Sequence, residues 1–367
     1  MWGTYSPLGI CRKYRNYLVL SLVLSFALVP FLDATIVQRD RNRNMLYGEL
    51  FLTEGVAVYD LTDKELNETY TVPADHLLTG ILNVSYEYPI VALVFFSLLA
   101  AIEPGMFGPH YIVNFVMAFI MHLNIIFFLY LGQDYWDRRW FKQFFIMYYI
   151  FGLSLAIGFG KAEPLADFLW LCSLVLFRNG KLLPSGGILG IAAQTKLYPA
   201  MVLPILAVSN PLILITFLVV SGILFLPMLL AGLGYNTLIQ HLLNTTSYAT
   251  SISNPFYIGF VTTNPLSIIA PAVLILSFIY SIFELRKLKG IPIPTLKLRT
   301  REWRSIFIFA LPLVLIFFSW VLIWYYFWFI IPVLYFENEQ DQSRYRYIFI
   351  GLILAHFIGV LVNLDYL

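Results

Sequence analysis

The chain has 367 residues, of which 60% are hydrophobic, 17% aromatic and only 12% charged. Soluble domains carry about 25% charged residues, so this composition excludes an ordinary water-soluble protein and predicts an all-helical protein that crosses a membrane many times. The net charge is only +2, whereas nucleic-acid binders usually show a concentrated basic face, so we expect no nucleic-acid partner.

Crossing about 30 Å of hydrocarbon takes about 20 apolar residues in a helix. The first candidate, 17–34, is predicted to be an uncleaved membrane helix, because no small-residue cleavage site follows it. Further long runs are 109–132, 144–160, 211–233, 264–285 and 346–365, shorter runs are 89–102, 165–177, 184–195 and 199–208, and 304–336 is long enough for two crossings. We expect about 10–13 membrane helices, some short or broken, in a single domain over 1–367.

Orientation follows from lysine and arginine, which accumulate on the cytoplasmic side. Five basic clusters, at 12–15, 138–142, 178–181, 286–304 and 344–346, are therefore placed in the cytoplasm. The long hydrophilic segment 35–88 then lies outside.

The predicted membrane spans and the predicted orientation disagree in one place. Between Pro89 outside and Arg138 inside there are two apolar runs, where an odd number of crossings is needed. We expect the short run 89–102 to enter and return, or to lie shallow.

The outer segment contains a predicted amphipathic helix at 40–55, "DRNRNMLYGELFLTEG". Met45, Leu46, Leu50 and Phe51 recur at helical spacing among polar residues, which is typical of a helix lying in the membrane interface. Asp40 stands at its start, where a carboxylate either caps free N–H groups or serves chemistry.

A second acid, Glu87, directly precedes Tyr88-Pro89 at the edge of an apolar run. Carboxylates are costly near hydrocarbon, so an acid held there is a functional candidate. The neighbouring tyrosines also suit an ordinary interfacial belt, and that alternative stays open.

The sequence "QTKLYP" predicts a break in a membrane hairpin. The chain rises through 184–195, turns at Lys196–Pro199 and descends through 199–208. Proline removes a backbone donor and disfavours helix at the residue before it. Broken helices at membrane depth are tolerated only where protein or a water-filled cavity surrounds them, so we expect this break to line a cavity.

These segments together resemble glycosyltransferase family 87 of the GT-C superfamily. In the first outer loop the resemblance is carried by Asp40, Tyr47, Gly55, Tyr59-Asp60 and Glu87-Tyr88-Pro89. Residues 177–206, "FRNGKLLPSGGILGIAAQTKLYPAMVLPIL", resemble the family's cytoplasmic turn, glycine-rich helix, Lys-x-x-Pro break and proline-containing descent. "EPLADFLWLCSLVL" resembles its outer entry into a helix with an aspartate, here Asp167, and "WYYFWFIIPVL" resembles its C-terminal aromatic run.

The resemblance implies a GT-C fold and an inverting glycosyltransferase, most often a mannosyltransferase. It implies a polyprenyl- or dolichyl-phosphate sugar donor that enters from the bilayer. The acceptor hydroxyl belongs to a lipid, glycan or glycolipid, and transfer occurs at the extracytoplasmic face. That face is the outside of the cell membrane in a prokaryote and the lumen of the endoplasmic reticulum in a eukaryote.

Residue roles follow from the resemblance and from the chemistry. Asp40 is the expected general base, with Asp33 as its rival, and Lys196 is the first choice for binding the donor phosphate. Further residues assigned to phosphate or substrate binding are Arg41, Asp60, Glu87, Tyr88, Lys161, Asp167 and His241. No cofactor is expected. A metal held by Asp40, Asp60 and Glu87 is the less favoured arrangement, since lysine and arginine are available for the phosphate.

Two other functions remain open from the sequence. A lipid-linked-sugar transporter or flippase would also use broken helices, although no second Lys-x-x-Pro copy occurs in the chain. A non-catalytic membrane subunit is the other alternative, and it would tolerate the change of Asp40 to asparagine.

Overall fold

A computed structural model describes residues 6–31, 39–70, 86, 88–105, 110–203, 206–207, 210–232, 252–253, 272, 276, 320–321, 328 and 330–332. The predicted site residues Asp33, Glu87 and His241 lie outside these ranges, as do almost all of the predicted runs 264–285, 304–336 and 346–365.

The described chain is helical almost throughout. Its α-helices are α1 Pro7–Ala27, α2 Arg39–Glu54, α3 Asp63–Tyr70, α4 Ile90–Ile102, α5 Tyr111–Leu131, α6 Arg139–Leu153, α7 Glu163–Arg178, α8 Leu182–Ala193 and α9 Pro211–Leu230. Shorter turns are the 3₁₀ segments Gly55–Asp60, Gln133–Tyr135 and Tyr198–Val202 and the π turn Ser154–Gly158. Two two-residue strands, β1 Ile252–Ser253 and β2 Trp320–Val321, pair antiparallel.

The predicted class of helical membrane protein is confirmed. Within the described ranges, four helical segments are long and apolar enough to cross a membrane, namely Pro7–Phe31, Tyr111–Leu131, Arg139–Gly158 and Pro211–Leu230. The apolar helices α4 and α8 are shorter, as expected from runs 89–102 and 184–195. The total of 10–13 membrane helices includes segments outside the described ranges and stays a prediction.

The first helix begins earlier than the sequence pattern indicated. We predicted a start at residue 17, but α1 begins at Pro7, and the Ser6 hydroxyl accepts a hydrogen bond of 3.1 Å from the Gly9 amide. Serine at the N-cap followed by proline is a strong start signal. The basic residues at 12–15 therefore lie within the first turns of the helix.

Contacts between neighbouring helices hold the bundle together. α5 contacts α1, α6 and α7, while α8 packs between α7 and α9. A Cβ on Gly186 would lie 2.1 Å from the Thr216 hydroxyl and 2.4 Å from the Ile213 carbonyl oxygen. A glycine on α8 thus lets the α9 backbone approach closely, as small residues do between membrane helices.

Three of the basic clusters meet at one end of the bundle. Arg178, at the end of α7, donates to the Leu131 carbonyl oxygen at 2.9 Å and contacts Asp134 at 3.4 Å. The Lys13 amine of α1 lies 4.8 Å from the centre of the Trp136 ring. Trp136 lies just before the basic cluster at 138–142 in the sequence. This shared end, called the basic end below, is what a common cytoplasmic location requires.

The short helix α4 has both of its ends at the same end of the bundle. At its start the Val91 amide donates to the Gln194 carbonyl oxygen at 2.9 Å, beside the break after α8. At its end Glu103 accepts from the amides of Ile112 and Val113, at the start of α5. The start of α5 and the end of α8 lie at the end of the bundle opposite the basic end, which is called the outer end below, so both ends of α4 lie there. This arrangement suits the expectation that the run 89–102 adds no crossing, which stays a prediction.

Candidate active site

Asp40 pairs with Lys161 at the outer end. Asp40 lies in the first turn of α2, and its carboxylate binds the Lys161 amine. The lysine side chain is 6% exposed, whereas the aspartate side chain is 37% exposed. The lysine is therefore held inside the protein while the carboxylate remains open to an incoming molecule.

The backbone before Lys161 is fixed on α2 by close contact. Gly160 has φ of +62°, and a Cβ there would lie 2.1 Å from the Cβ of Arg41. Asn44 donates to the Gly160 carbonyl oxygen at 3.2 Å, and Tyr86 donates to the Asn44 side chain at 3.0 Å. A left-handed residue without a side chain is needed here, and it places Lys161 beneath Asp40.

A second pair joins Lys196 to Glu163. Lys196 follows α8 at the predicted break, and its amine binds the carboxylate of Glu163, in the first turn of α7. The Glu163 side chain has no exposed surface, while that of Lys196 is 14% exposed. Within the described part of the chain, Glu163 Oε2 has no hydrogen-bond partner. A buried carboxylate normally uses both oxygens, so this atom is suited to accept from a bound molecule.

Aromatic rings flank the Lys196 amine on two sides. Its nitrogen lies 5.0 Å from the Tyr88 ring centre and 5.7 Å from that of Trp328. The Tyr59 hydroxyl donates to the Tyr88 carbonyl oxygen at 2.8 Å, which ties this stretch to the outer segment. The outer loop, the Lys-x-x-Pro break and the C-terminal aromatic run therefore converge at one place.

Asp167 supports this place from behind. Its carboxylate is fully buried and accepts from the hydroxyls of Tyr198, at 2.5 Å, and Tyr148, at 3.0 Å. The Tyr198 ring stacks on Trp328 with ring centres 4.8 Å apart. Asp167 was predicted to bind substrate, and in this arrangement its link to the site runs through Tyr198.

The other predicted outer-loop residues are arranged differently. Arg41 is buried, and its guanidinium donates to the Asn42 side chain at 3.2 and 3.3 Å. Arg43 binds Asp63 through two contacts of 2.9 and 3.1 Å, and the Tyr47 hydroxyl donates to the same carboxylate at 2.7 Å. Asp60 is exposed at the end of its 3₁₀ segment.

The start of α3 holds Asp63 in position. The Thr62 hydroxyl accepts from the Glu65 amide at 3.3 Å, and the Glu65 carboxylate accepts from the Thr62 amide and hydroxyl at 2.8 Å. This is a capping box. The hydrogen bond from the Thr62 amide lowers the pKa of the Glu65 carboxyl group most, and the one from the Thr62 hydroxyl lowers it further.

The amphipathic helix predicted at 40–55 is present as α2. Its residues Met45, Leu46 and Leu50 are buried, and the helix packs against α4. A Cβ on Gly48 would lie 2.7 Å from the Phe96 backbone. The apolar face of α2 is thus covered by protein at a close helix crossing.

Five predicted site residues come together here: Asp40, Tyr88, Lys161, Asp167 and Lys196. Sequence reasoning missed Glu163, although a signal was present in "GKAEPLAD". Glu163 stands two residues after a lysine and at the entry of an apolar helix, where an acid is costly. The less favoured arrangement, a metal held by Asp40, Asp60 and Glu87, is untested, because Glu87 lies outside the described ranges.

A helical membrane bundle with paired acids and lysines at its outer end defines an integral membrane protein with a charged, partly enclosed site. Residues 86–287 match the family model for glycosyltransferase family 87. The chain belongs to that family and is a glycosyltransferase. The match includes Lys161, Glu163 and Lys196, whereas Asp40 precedes it. No curated protein and no solved structure matches the chain.

Proposed function

We propose that the protein transfers a sugar, mannose, from a polyprenyl- or dolichyl-phosphate donor to a lipid, glycan or glycolipid hydroxyl at the extracytoplasmic face, with inversion. One observation carries this proposal. The pairs Asp40–Lys161 and Glu163–Lys196 are joined by the short segment 161–163 at the end of the bundle opposite the basic end. The site thereby offers an accessible base beside an amine suited to a phosphate.

Asp40 is the general base in this proposal. Of the two paired carboxylates, only Asp40 is exposed, so it is the one that an acceptor can reach. Its oxygen takes the proton of the acceptor hydroxyl as that oxygen attacks the anomeric carbon. The new bond forms on the face opposite the phosphate, and the bond from the anomeric carbon to the phosphate oxygen breaks with its electron pair.

Lys196 stabilises the leaving phosphate. As the phosphodiester becomes a phosphate monoester it gains negative charge, and a cation placed to meet that charge favours the transition state over the ground state. The Lys196 amine is held by Glu163 and flanked by Tyr88. We propose that it donates to the phosphate while Glu163 Oε2 accepts from a hydroxyl of the sugar.

The test uses the purified full chain in phosphatidylcholine vesicles with radiolabelled polyprenyl-phosphate mannose and a membrane lipid extract as the acceptor source. We expect a labelled product and an equal amount of released polyprenyl phosphate. Movement of intact donor across the bilayer without release would identify a flippase instead. Activity only with another polyprenyl-phosphate hexose would overturn mannose and leave the reaction class. No release with any such donor would contradict the proposal.

A further inference from the structure

A cavity of about 590 Å³ lies between α1, α5 and α6, toward the basic end. Its volume falls within the range of about 300–1,000 Å³ that is usual for ligand sites. Its walls are mainly aliphatic and aromatic, with Leu18 on α1, Ile125 on α5 and Phe145 on α6. An apolar cavity of this size between membrane helices favours an apolar ligand.

The end of the cavity farther from the basic end is lined by polar groups that hydrogen-bond to one another. His122 Nδ1 lies 2.7 Å from the Ala118 carbonyl oxygen, so that nitrogen carries the proton. Its Nε2 accepts from the Ser21 hydroxyl at 3.0 Å, and the Tyr149 hydroxyl lies 3.4 Å away. Because these polar groups satisfy each other's hydrogen bonds, this end of the cavity is compatible with a hydrocarbon chain.

The depth of the cavity suits one membrane leaflet. It extends from Ser21 back to Tyr14, seven residues along α1, which is about 10 Å at a rise of 1.5 Å per residue. One leaflet contributes about half of the 30 Å hydrocarbon core. The cavity therefore covers much of the depth of an acyl chain whose headgroup lies at the basic end.

The end of the cavity toward the basic end carries a positive charge. Lys142 lines it and is exposed, and Trp136 lines it beneath Lys13. Neighbouring α1 positions such as Leu20 and Leu24 are exposed on the helix surface, so the cavity adjoins the lipid. Lysine at the level of the headgroups attracts anionic lipids.

We propose that this cavity binds one acyl chain of an anionic glycerophospholipid, with Lys142 facing the headgroup phosphate. The site lies at the opposite end of the bundle from Asp40 and Lys196, and the proposal does not depend on the transfer reaction. In this proposal the lipid chain fills the space between α1, α5 and α6.

The first test maps contact directly. The full chain is placed in phosphatidylcholine vesicles containing a small fraction of phosphatidylglycerol with a photoactivatable group in its acyl chain. After irradiation, adducts located by peptide mass spectrometry are expected on 14–21 and 122–129. Leu18→Trp fills the cavity and should reduce these adducts severalfold, whereas Leu24→Trp, an exposed leucine of the same helix, should leave them unchanged. Equal labelling of all lipid-facing helices would overturn the proposal.

The second test concerns the headgroup. Lys142→Gln should reduce the preference for the phosphatidylglycerol probe over a phosphatidylcholine probe about fivefold, from the loss of one lysine at the membrane surface. Lys181→Gln, which removes a lysine from the same end but outside the cavity, should not. If Leu18→Trp does not fold, competition on the unaltered chain decides. Unlabelled phosphatidylglycerol should then displace the probe more effectively than phosphatidylcholine, and equal displacement would overturn the anionic preference.

Discussion

The amine of Lys196 binds the carboxylate of Glu163, a residue that lies 33 positions earlier in the chain and has no exposed surface. The pair joins the break after α8 to the first turn of α7. A lysine at a membrane-helix break often extends to lipid headgroups, but this one is directed to a buried acid beside Tyr88. The position of the Lys196 amine is thus set by contacts within the protein and not by lipid headgroups.

Lys196→Met should lower kcat for sugar transfer by about 10²–10³, because it removes a donor aimed at the developing phosphate charge. It should also cost about 3–5 kcal/mol of stability, since Glu163 is left as a buried, unpaired carboxylate. Steady-state kinetics with varied donor and thermal unfolding measure the two effects.

The control separates these effects. The double variant Glu163→Gln/Lys196→Met removes both charges and should recover most of the lost stability without recovering transfer. A double variant that transfers sugar at the normal rate would show that Lys196 does not serve the phosphate.

Asp40→Asn should reduce transfer by at least about 10², because an amide cannot take the acceptor proton. Donor binding, measured by filter retention of labelled donor, should be unchanged. Asp33→Asn is the comparison. If it alone abolishes transfer, the base is Asp33, and if both variants are fully active, neither acid is the base.

Gly160→Ala should destabilise the protein and lower transfer. A left-handed conformation costs a residue with a Cβ about 1–2 kcal/mol, and here the added atom would also collide with Arg41. Gly180→Ala is the matched control, because Gly180 has φ of +71° but open space around it. Thermal unfolding should show a larger loss for Gly160→Ala, and equal losses would mean that the contact with α2 has no energetic weight.

Gly48→Ala tests the crossing of α2 and α4. The new methyl group would meet the Phe96 backbone at 2.7 Å, and overpacking of this kind costs about 1–3 kcal/mol. Gly222→Ala in α9 meets nothing within 4 Å and should be neutral or stabilising by up to about 1 kcal/mol. Thermal unfolding midpoints compare the two variants, and a neutral Gly48→Ala would contradict close packing of these helices.

Local sequence signals predicted much of the described fold. The apolar runs that became α5, α7, α8 and α9 were found within a few residues of their bounds, and the break at Lys196 followed from Pro199. The start of α1 was misplaced because the basic residues at 12–15 were taken to precede the helix, whereas Ser6 and Pro7 set its actual start.

The pairing of charges was beyond sequence reasoning. Asp40 has arginines close to it in the sequence, yet its partner is Lys161, 121 residues away. Arg41 instead donates to the side chain of the neighbouring Asn42, and Arg43 donates to Asp63. Which distant lysine meets which acid depends on packing between helices, including the approach of Gly160 to α2.

The segment Lys161-Ala162-Glu163 has a consequence for charge conservation during transfer. The site contains two acids and two lysines, and the phosphodiester of the proposed donor brings one negative charge. In the proposed reaction the acceptor proton moves to Asp40, so that carboxylate becomes neutral while the leaving phosphate gains the equivalent charge. The total charge in the cleft therefore stays constant through bond cleavage. Negative charge moves from beside Lys161 to beside Lys196, so the reaction needs no ion to enter or leave before the product departs.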